Sequence, residues 1–328
     1  MIKIKKLPKV SIIIPTFNNE KTIKKTIETI INQTYQNIEI IVSDNGSTDN
    51  TINIIKNFKK NIKIIFFLKK KGMYNLEHTY SLGTGKYTAV YHSDDIYEKT
   101  IIRKQVEYLE KNHSVNIVFT KAYQINDEDN IIRKLSYNLS SCTINSQTEL
   151  FKNILKNYNF IHCPTALFRT RNLKNLRWDI KKFNTSSDLN LWFKLLKKGK
   201  IHILPEFLAS IRISNRQITE AERISTVESD FIKVMKFYYN KKNILTSLDK
   251  IDVKLFYTLI FRDKIRIILN LLKNNKIKNS EQLINKINTC KVFKQYNNTL
   301  RYFYTFINLA LLKIFFIIRK YFIIRFNV

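Results

Sequence analysis

The sequence predicts an α/β fold in which a mostly parallel central sheet is followed by a helical C-terminal region. Three observations predict it: four short, almost wholly apolar runs of strand length, amphipathic helical patterns between them, and a change of texture after about residue 225. The first run, VSIII at 10–14, stops at Pro15; the others are IEIIVS (38–43), IKIIFFL (62–68) and YTAVY (87–91). Unbroken apolarity, rather than alternation, suits strands covered on both faces. Between the first two runs, Ile23, Ile27, Ile30 and Ile31 form a stripe at helical spacing with lysines opposite. Ile52, Ile54, Ile55 and Phe58 repeat the pattern before the third run, behind the capping-type residues Ser47, Thr48 and Asp49. Strand–helix–strand alternation implies right-handed crossovers. In such sheets ligands bind beyond the carboxyl ends of the strands. The segments to watch are therefore PTFNNE (15–20), SDNGSTD (43–49) and HSDD (92–95).

Two regions are expected: an α/β domain over 1–225 and a basic, mostly helical region over 226–328. From Lys250 onward, sixteen Lys and Arg stand against Asp252, Asp263 and Glu281 alone, and apolar residues recur at helical spacing. The segment FINLALLKIFFIIRKYFII (306–324) is nearly apolar all round, yet Lys313, Arg319 and Lys320 interrupt it. A membrane span wants about 20 mostly uncharged residues. A buried core helix, an in-plane interfacial helix with snorkelling cations, and a true span all stay open.

Composition narrows the classes. With 328 residues, 44% hydrophobic and 12% aromatic, the chain can bury a sizeable core and is not a disordered segment. Its formal net charge of +31 favours polyanionic partners such as nucleic acid, anionic lipid or phosphorylated small molecules. The basic residues are spread over the whole chain, however, and no nucleic-acid-binding module or aromatic platform accompanies them, so no nucleic-acid partner is expected. Cys142, Cys163 and Cys290 are an odd set without paired spacing, which fits a reducing cytoplasm and no disulfide framework. The basic, then apolar N-terminus is cut short at Pro15, too soon for a signal peptide.

Asp94 and Asp95 raise the sharpest chemical question. Adjacent carboxylates disfavour each other's ionisation unless a cation is shared between them. One reading is a helix start, where Asp suits the cap and first turn; the other is a metal site. Asp44 at a strand exit either closes an Asx turn or accepts from a nucleobase edge. Asp188, opening the helical run of Leu191, Trp192, Leu195 and Leu196, is either a helix-dipole partner or a general base.

Together these segments resemble family 2 glycosyltransferases, which have the GT-A fold. The resemblance is carried by VSIIIPTFNNEKTIKKTIETIINQTYQNIEIIVSDNGSTDNT (10–51), GMYNLEHTYSLGTGKYTAVYHSDD (72–95), FNTSSDLNLWFKLLKKG (183–199) and IRISNRQIT (211–219), and covers about residues 8–220. It implies that Pro15, Thr16 and Asp44 line a nucleoside, with Glu20 close by. Asp94 and Asp95 then match the family's D-x-D-type motif, which holds Mg²⁺ or Mn²⁺ against the diphosphate of a nucleotide-diphospho-sugar donor, a UDP-sugar foremost. Which of the two touches the metal stays open. Asp188 matches the base, Arg212 the closing loop over the donor, and His162 and Thr165 of FIHCPTALFR (160–169) lie toward the acceptor. The implied activity is inverting transfer of a sugar to a hydroxyl of a glycan or lipid-linked oligosaccharide, in surface polysaccharide or lipo-oligosaccharide synthesis. The implied setting is cytoplasmic, peripheral on the inner face of the cell membrane, with an anionic membrane surface as partner of the basic C-terminal region.

Departures are visible. His92 stands where relatives carry Asp or Asn, Asn75 replaces an Asp, Ser214 replaces a His, and KNLRW (174–178) lacks the Gln of processive relatives. These departures imply addition of one or a few sugars, and they keep a catalytically impaired sugar-nucleotide-binding paralogue as the alternative reading.

Overall fold

The computed structural model describes residues 7–58, 62–66, 82–137, 139, 141–173, 176–214, 222–285 and 311. Asn75, Lys174, Arg216 and the apolar segment 306–324, apart from Leu311, lie outside the described residues. The chain divides into two compact units, residues 1–215 and 216–328.

Among the described residues of the first unit, ten strands form one mixed sheet: β1 (Val10–Thr16), β2 (Ile38–Asp44), β3 (Ile62–Phe66), β4 (Tyr87–Val90), β5 (Ile96–Tyr97), β6 (Val115–Ile125), β7 (Ile131–Leu135), β8 (Thr143–Ile144), β9 (Leu167–Arg169) and β10 (Lys200–Arg212). Their spatial order is β3-β2-β1-β4-β9-β6-β10-β5, with β7 on β6 and β8 on β10. Pairing is parallel between β3, β2, β1 and β4 and between β6 and β10. The three-residue β9 runs antiparallel between the two blocks and joins them. All four expected strands are present. Val10, Ile12, Ile13 and Ile14 of β1 are sealed from solvent, as the unbroken apolar run requires of a central strand.

Helices cover the sheet: α1 (Ile23–Ile31), α2 (Thr51–Lys56), α3 (Ile101–Lys111), α4 (Gln147–Asn157) and α5 (Ser187–Leu195). Nine residues make too short a helix to persist alone. Burial of Ile23, Ile27 and Ile30, at about 1.5–3 kcal/mol per side chain, holds α1 in place. The second helix starts later than its capping-type residues suggest. Asp49 Oδ1 accepts from Thr51 N at 3.0 Å, so Ser47 and Thr48 remain in the loop, free to serve the site.

Gly85 and Tyr87, just before and within β4, have a packing reason. A Cβ on Gly85 would lie 2.7 Å from Lys9 O and 2.8 Å from Ser11 N, both backbone atoms. Tyr87 is fully buried; its hydroxyl donates to Glu110 and receives Arg169 Nη1 at 3.3 Å. This seats β4 firmly against β1 and fixes where the chain leaves the sheet.

The second unit is helical among the described residues: α6 (Asp230–Tyr239), α7 (Lys250–Lys273) and α8 (Ile277–Asn285), with a short turn of helix at Lys242–Leu245. Asp249 and Asp252 form a capping box that opens α7. Phe261, Ile265, Ile268 and Ile284 pack α7 against α8. No helix among the described residues is long and apolar enough to cross a membrane.

Candidate functional site

Three strand exits meet at one pole of the sheet. Because β1 pairs in parallel with both β2 and β4, Thr16 stands beside Asp44, and the end of β4 stands beside Ile13. Parallel neighbours release their chains on the same side, so PTFNNE, SDNGSTD and HSDD are adjacent. Hydrogen bonds then lock them. Asn18, at φ 52°, donates its N–H to Ser47 Oγ (2.9 Å), and its Oδ1 accepts from Thr48 N (2.8 Å). Asn19 N reaches Thr51 Oγ1 (2.8 Å), and Asn19 Nδ2 reaches Ser93 Oγ. Glu20 and Asp49 exchange bonds across the loops: Glu20 N donates to Asp49 Oδ2 (3.1 Å), and Glu20 Oε2 accepts from Asn50 N (2.9 Å). Glu20 thus fixes the loop that carries Asp44.

Asp44 is 1% exposed and closes an Asx turn: its Oδ2 accepts from Gly46 N and Ser47 N at 3.0 Å each, its Oδ1 from Ser47 Oγ at 2.5 Å. Gly46 takes φ 78°, the left-handed region that favours glycine. The turn reading is therefore present. A carboxylate has about four acceptor sites, so a fourth partner can still be taken. Opposite it, Thr16 is 4% exposed with a hydroxyl oxygen that has no hydrogen-bond partner. A buried hydroxyl left unpaired is destabilising, and a polar group at this pole could satisfy it.

The acidic pair follows β4 and precedes β5. No helix begins there; the residues turn directly into β5, which removes the helix-start reading. Asp95 is 1% exposed; its Oδ1 accepts from Arg212 N at 2.9 Å, and its Oδ2 has no hydrogen-bond partner. Burial, then the Asp94 charge, push its carboxyl well above the usual range, against the opposing bond and charge of Arg212. His92 Nδ1 lies 3.8 Å from Asp95 Oδ2. One ligand atom from each of His92, Asp94 and Asp95 falls within 4.8 Å of the others. An orphaned buried carboxylate oxygen beside a second carboxylate and an imidazole fits a divalent cation: two oxygens and one nitrogen converge, and the added charge relieves the like-charge repulsion. The residues present therefore fit the metal.

The pair is supported from two sides. Thr26 on α1 donates its hydroxyl to Asp95 O (2.8 Å) and Ser93 O (3.1 Å), and Thr22 reaches Ser93 O as well (3.1 Å). From the other side, Arg212 at the end of β10 donates Nε to Asp94 O at 2.9 Å. Its other guanidinium nitrogens engage Asn126 O and Asp129. Below the turn, Tyr91 and Tyr97 stack at 3.7 Å between ring centroids, and Tyr97 Oη accepts from His92 N (2.9 Å). Thr22 precedes α1 and Thr26 sits inside its apolar stripe, and the sequence singled out neither. Asp129 carried no local signal at all.

Asp188 stands on a separate element, in the first turn of α5, with Oδ1 accepting from Leu189 N at 2.7 Å. Trp192 anchors that helix, meeting Phe119 of β6 edge-on with ring centroids 5.1 Å apart. His162 Nε2 pairs with the Tyr137 hydroxyl at 2.5 Å. Burial, with the His92 charge adding to it, lowers its pKa to about 4, so its imidazole is neutral near pH 7. Thr165 uses its hydroxyl on His162 O (2.9 Å) to close a 3₁₀ turn, a structural task. A hollow of about 290 Å³ beside Gly83–Lys86 and Arg169–Arg171 lies at the opposite pole, before β4 begins. Its buried guanidinium, Arg169, is engaged by Val115 O, Leu109 O and Asn112 O, so that hollow lacks the convergent chemistry of the exit pole.

Comparison with known proteins points to one family. An uncharacterized glycosyltransferase of Methanocaldococcus jannaschii is 31% identical over 64% of this chain and 72% of its own. A UDP-Glc:alpha-D-GlcNAc-diphosphoundecaprenol beta-1,3-glucosyltransferase of Escherichia coli is 28% identical over 74% of this chain and 94% of its own. Among solved structures, a mannosyltransferase of Pyrobaculum calidifontis in complex with GDP-Man and Mn²⁺ superposes with a TM-score of 0.54 at 14% identity, covering 93% of this chain and 86% of that one, a likeness of fold. The family described as Glycosyl transferase family 2 matches residues 11–177, half of the chain, and the strand exits that build the site fall within it. The chain belongs to glycosyl transferase family 2 and is a glycosyltransferase of GT-A-like fold.

Proposed function

We propose that this glycosyltransferase transfers a sugar, with inversion, from a UDP-sugar to a hydroxyl of a glycan or polyprenol-diphosphate-linked oligosaccharide in surface-glycan assembly. The observation that carries the reading is the buried Asp95 Oδ2, without a hydrogen-bond partner, within the His92–Asp94–Asp95 cluster at the strand-exit pole. Thr16, Pro15 and Asp44 form the nucleoside floor, with Glu20 fixing its loop. His92, Asp94 and Asp95 are the residues that would hold Mg²⁺ or Mn²⁺. When bound, such an ion neutralises charge on the departing nucleoside diphosphate. Asp188 accepts the proton of the acceptor hydroxyl; the oxygen–anomeric carbon bond forms on one face as the bond to the diphosphate breaks on the other. A single base on its own element supports that in-line geometry. The UDP donor and polyprenol acceptor are supported by the substrate of the Escherichia coli relative.

The decisive experiment is a panel of UDP-, GDP- and TDP-sugars, each with Mn²⁺, with Mg²⁺ or with EDTA, offered a polyprenol-diphosphate-linked acceptor. Turnover with a UDP-sugar that EDTA abolishes is the expected result. Thermal shift without turnover would leave the binding-paralogue reading standing, and no response to any nucleotide sugar overturns both.

The basic C-terminal region, 226–328, is read as holding the domain on an anionic membrane surface, close to a lipid-linked acceptor. Support comes from its charge and from the polyprenol acceptor of the relative, each basic residue near such a surface contributing about 1 kcal/mol. In flotation, anionic vesicles should carry the full chain and release it in high salt. Equal recovery with neutral and anionic vesicles removes the membrane reading.

A further inference from the structure

The turn between β6 and β7 belongs to no motif that the family match uses for chemistry, yet it touches both supports of the acidic pair. Asn126 and Asn130 close the turn (Asn126 N to Asn130 O, 3.0 Å; Asn130 N to Asn126 Oδ1, 2.8 Å), and Asp129 sits in it at φ 67°. From there Asp129 Oδ1 binds Arg212 Nη2, and Asp129 Oδ2 binds Lys25 Nζ. Arg212 fixes Asp94 O and Asp95 Oδ1; Lys25 lies on α1, whose Thr26 fixes Asp95 O. One carboxylate thus joins β10 and α1, the two elements that hold the acidic turn. We propose that Asp129 is a positioning residue for the metal site, holding Arg212 and Lys25 so that Asp95 keeps an oxygen open to a divalent cation.

Electrostatic competition is the physical basis. The Arg212 side chain is 5% exposed, and a buried guanidinium demands acceptors for its donors. Asp129 supplies a charged one through Oδ1, its other oxygen being held by Lys25. Without that charge, Arg212 is left beside the carboxylate of Asp95, which already accepts from its backbone N and feels its charge, and beside Asp94, whose backbone carbonyl accepts from Nε. Turned toward them, the guanidinium neutralises the oxygens that a cation needs. Asp129 therefore acts on the site by keeping a competing cation occupied elsewhere. It touches no reacting atom.

This inference rests on the metal reading of the site, and the experiment separates the two. Mn²⁺ binding to the full-length chain is measured by electron paramagnetic resonance, with and without UDP. Asp129→Asn is the informative change: asparagine tolerates the left-handed backbone and keeps one acceptor for Arg212, while it loses the charge and the second oxygen that Lys25 uses. Outer-sphere partners of this kind change metal affinity by about 10–100-fold, and a loss in that range is expected. Asp129→Glu, which restores the charge, should recover most of it. Asp127→Asn removes the same charge from an exposed position in the same turn and should stay within about twofold, as screened surface charges do. Lys25→Gln, at a half-exposed position, loosens one arm and should weaken binding measurably even if Asp129→Asn does not fold.

A purely structural role would lower the melting temperature and leave Mn²⁺ affinity of the folded protein untouched; that outcome overturns the inference. So does an equal loss in Asp127→Asn, which would make the effect one of general field, or an unchanged affinity in Lys25→Gln. Failure of the parent to bind Mn²⁺ at all strikes the metal reading itself.

Discussion

Asp95→Asn is expected to lower kcat/KM by about 10²–10³ while raising the melting temperature of the metal-free protein. The two effects share one cause. Asp95 is buried with Oδ2 unpartnered, in the field of Asp94, an arrangement that burial and like charge both penalise. Asparagine keeps the Oδ1 that accepts from Arg212 N at 2.9 Å and replaces the orphaned oxygen with an amide that can donate toward His92 Nδ1, now 3.8 Å away. An unmet buried polar group is worth about 1–3 kcal/mol, which for a domain of this size corresponds to about 2–4 °C per kcal/mol in melting temperature. Loss of an electrostatic stabiliser of developing charge costs about 2.7–4 kcal/mol in the transition state, the 10²–10³ quoted. Calorimetry with and without Mn²⁺ makes the comparison. The parent should gain stability from the ion by mass action and the variant should not. A variant that melts lower than its parent without metal, or keeps its activity, shows that Asp95 is an ordinary structural carboxylate.

The trade explains which parts of this molecule can be read from its sequence. β1 to β4 were legible because each is a local apolar run, and in β1, β2 and β4 burial on both faces leaves no alternation. Their parallel pairing then dictated that three strand exits share a pole, so Thr16, Asp44 and Asp95 could be assembled without coordinates. β9 was not legible: Leu167–Arg169 is three residues long, and its place between β4 and β6 is decided by pairing with segments 80 and 50 residues away, roughly. β10 was hidden for a related reason, since its pairing with β6 shifts register near Pro205 and breaks any simple period. Within the site, residues that bear charge at strand ends announced themselves; residues that hold those charges did not. Thr26 hides inside an isoleucine stripe, and Asp129 meets Arg212 across 83 positions of sequence. Arg212 was expected over the donor, and its guanidinium is engaged by Asp94 O, Asn126 O and Asp129, an arrangement that no spacing rule contains.

Asp188→Asn should reduce kcat by about 10²–10⁴, the usual contribution of a general base, and leave the KM for the donor unchanged. In the proposed reading the donor is held by the strand-exit loops, whereas Asp188 belongs to α5, an element fixed independently by Trp192 against Phe119. Structural damage is expected to be small. Asparagine still accepts from Leu189 N, and the lost interaction of a carboxylate with the helix N-terminus is worth about 0.3–1 kcal/mol. A fall in kcat of several kcal/mol would therefore exceed anything the fold contributes. Acceptor chemistry supplies the control. An acceptor bearing a thiol in place of the attacking hydroxyl is partly ionised near neutral pH and needs no base, so it should restore much of the variant's rate while gaining little in the parent. If instead the hydroxyl acceptor reacts within about threefold of the parent rate, or the thiol brings no recovery, Asp188 is a helix-terminal residue. The proton must then leave through another group, with the neutral His162 beside Tyr137 the next to test.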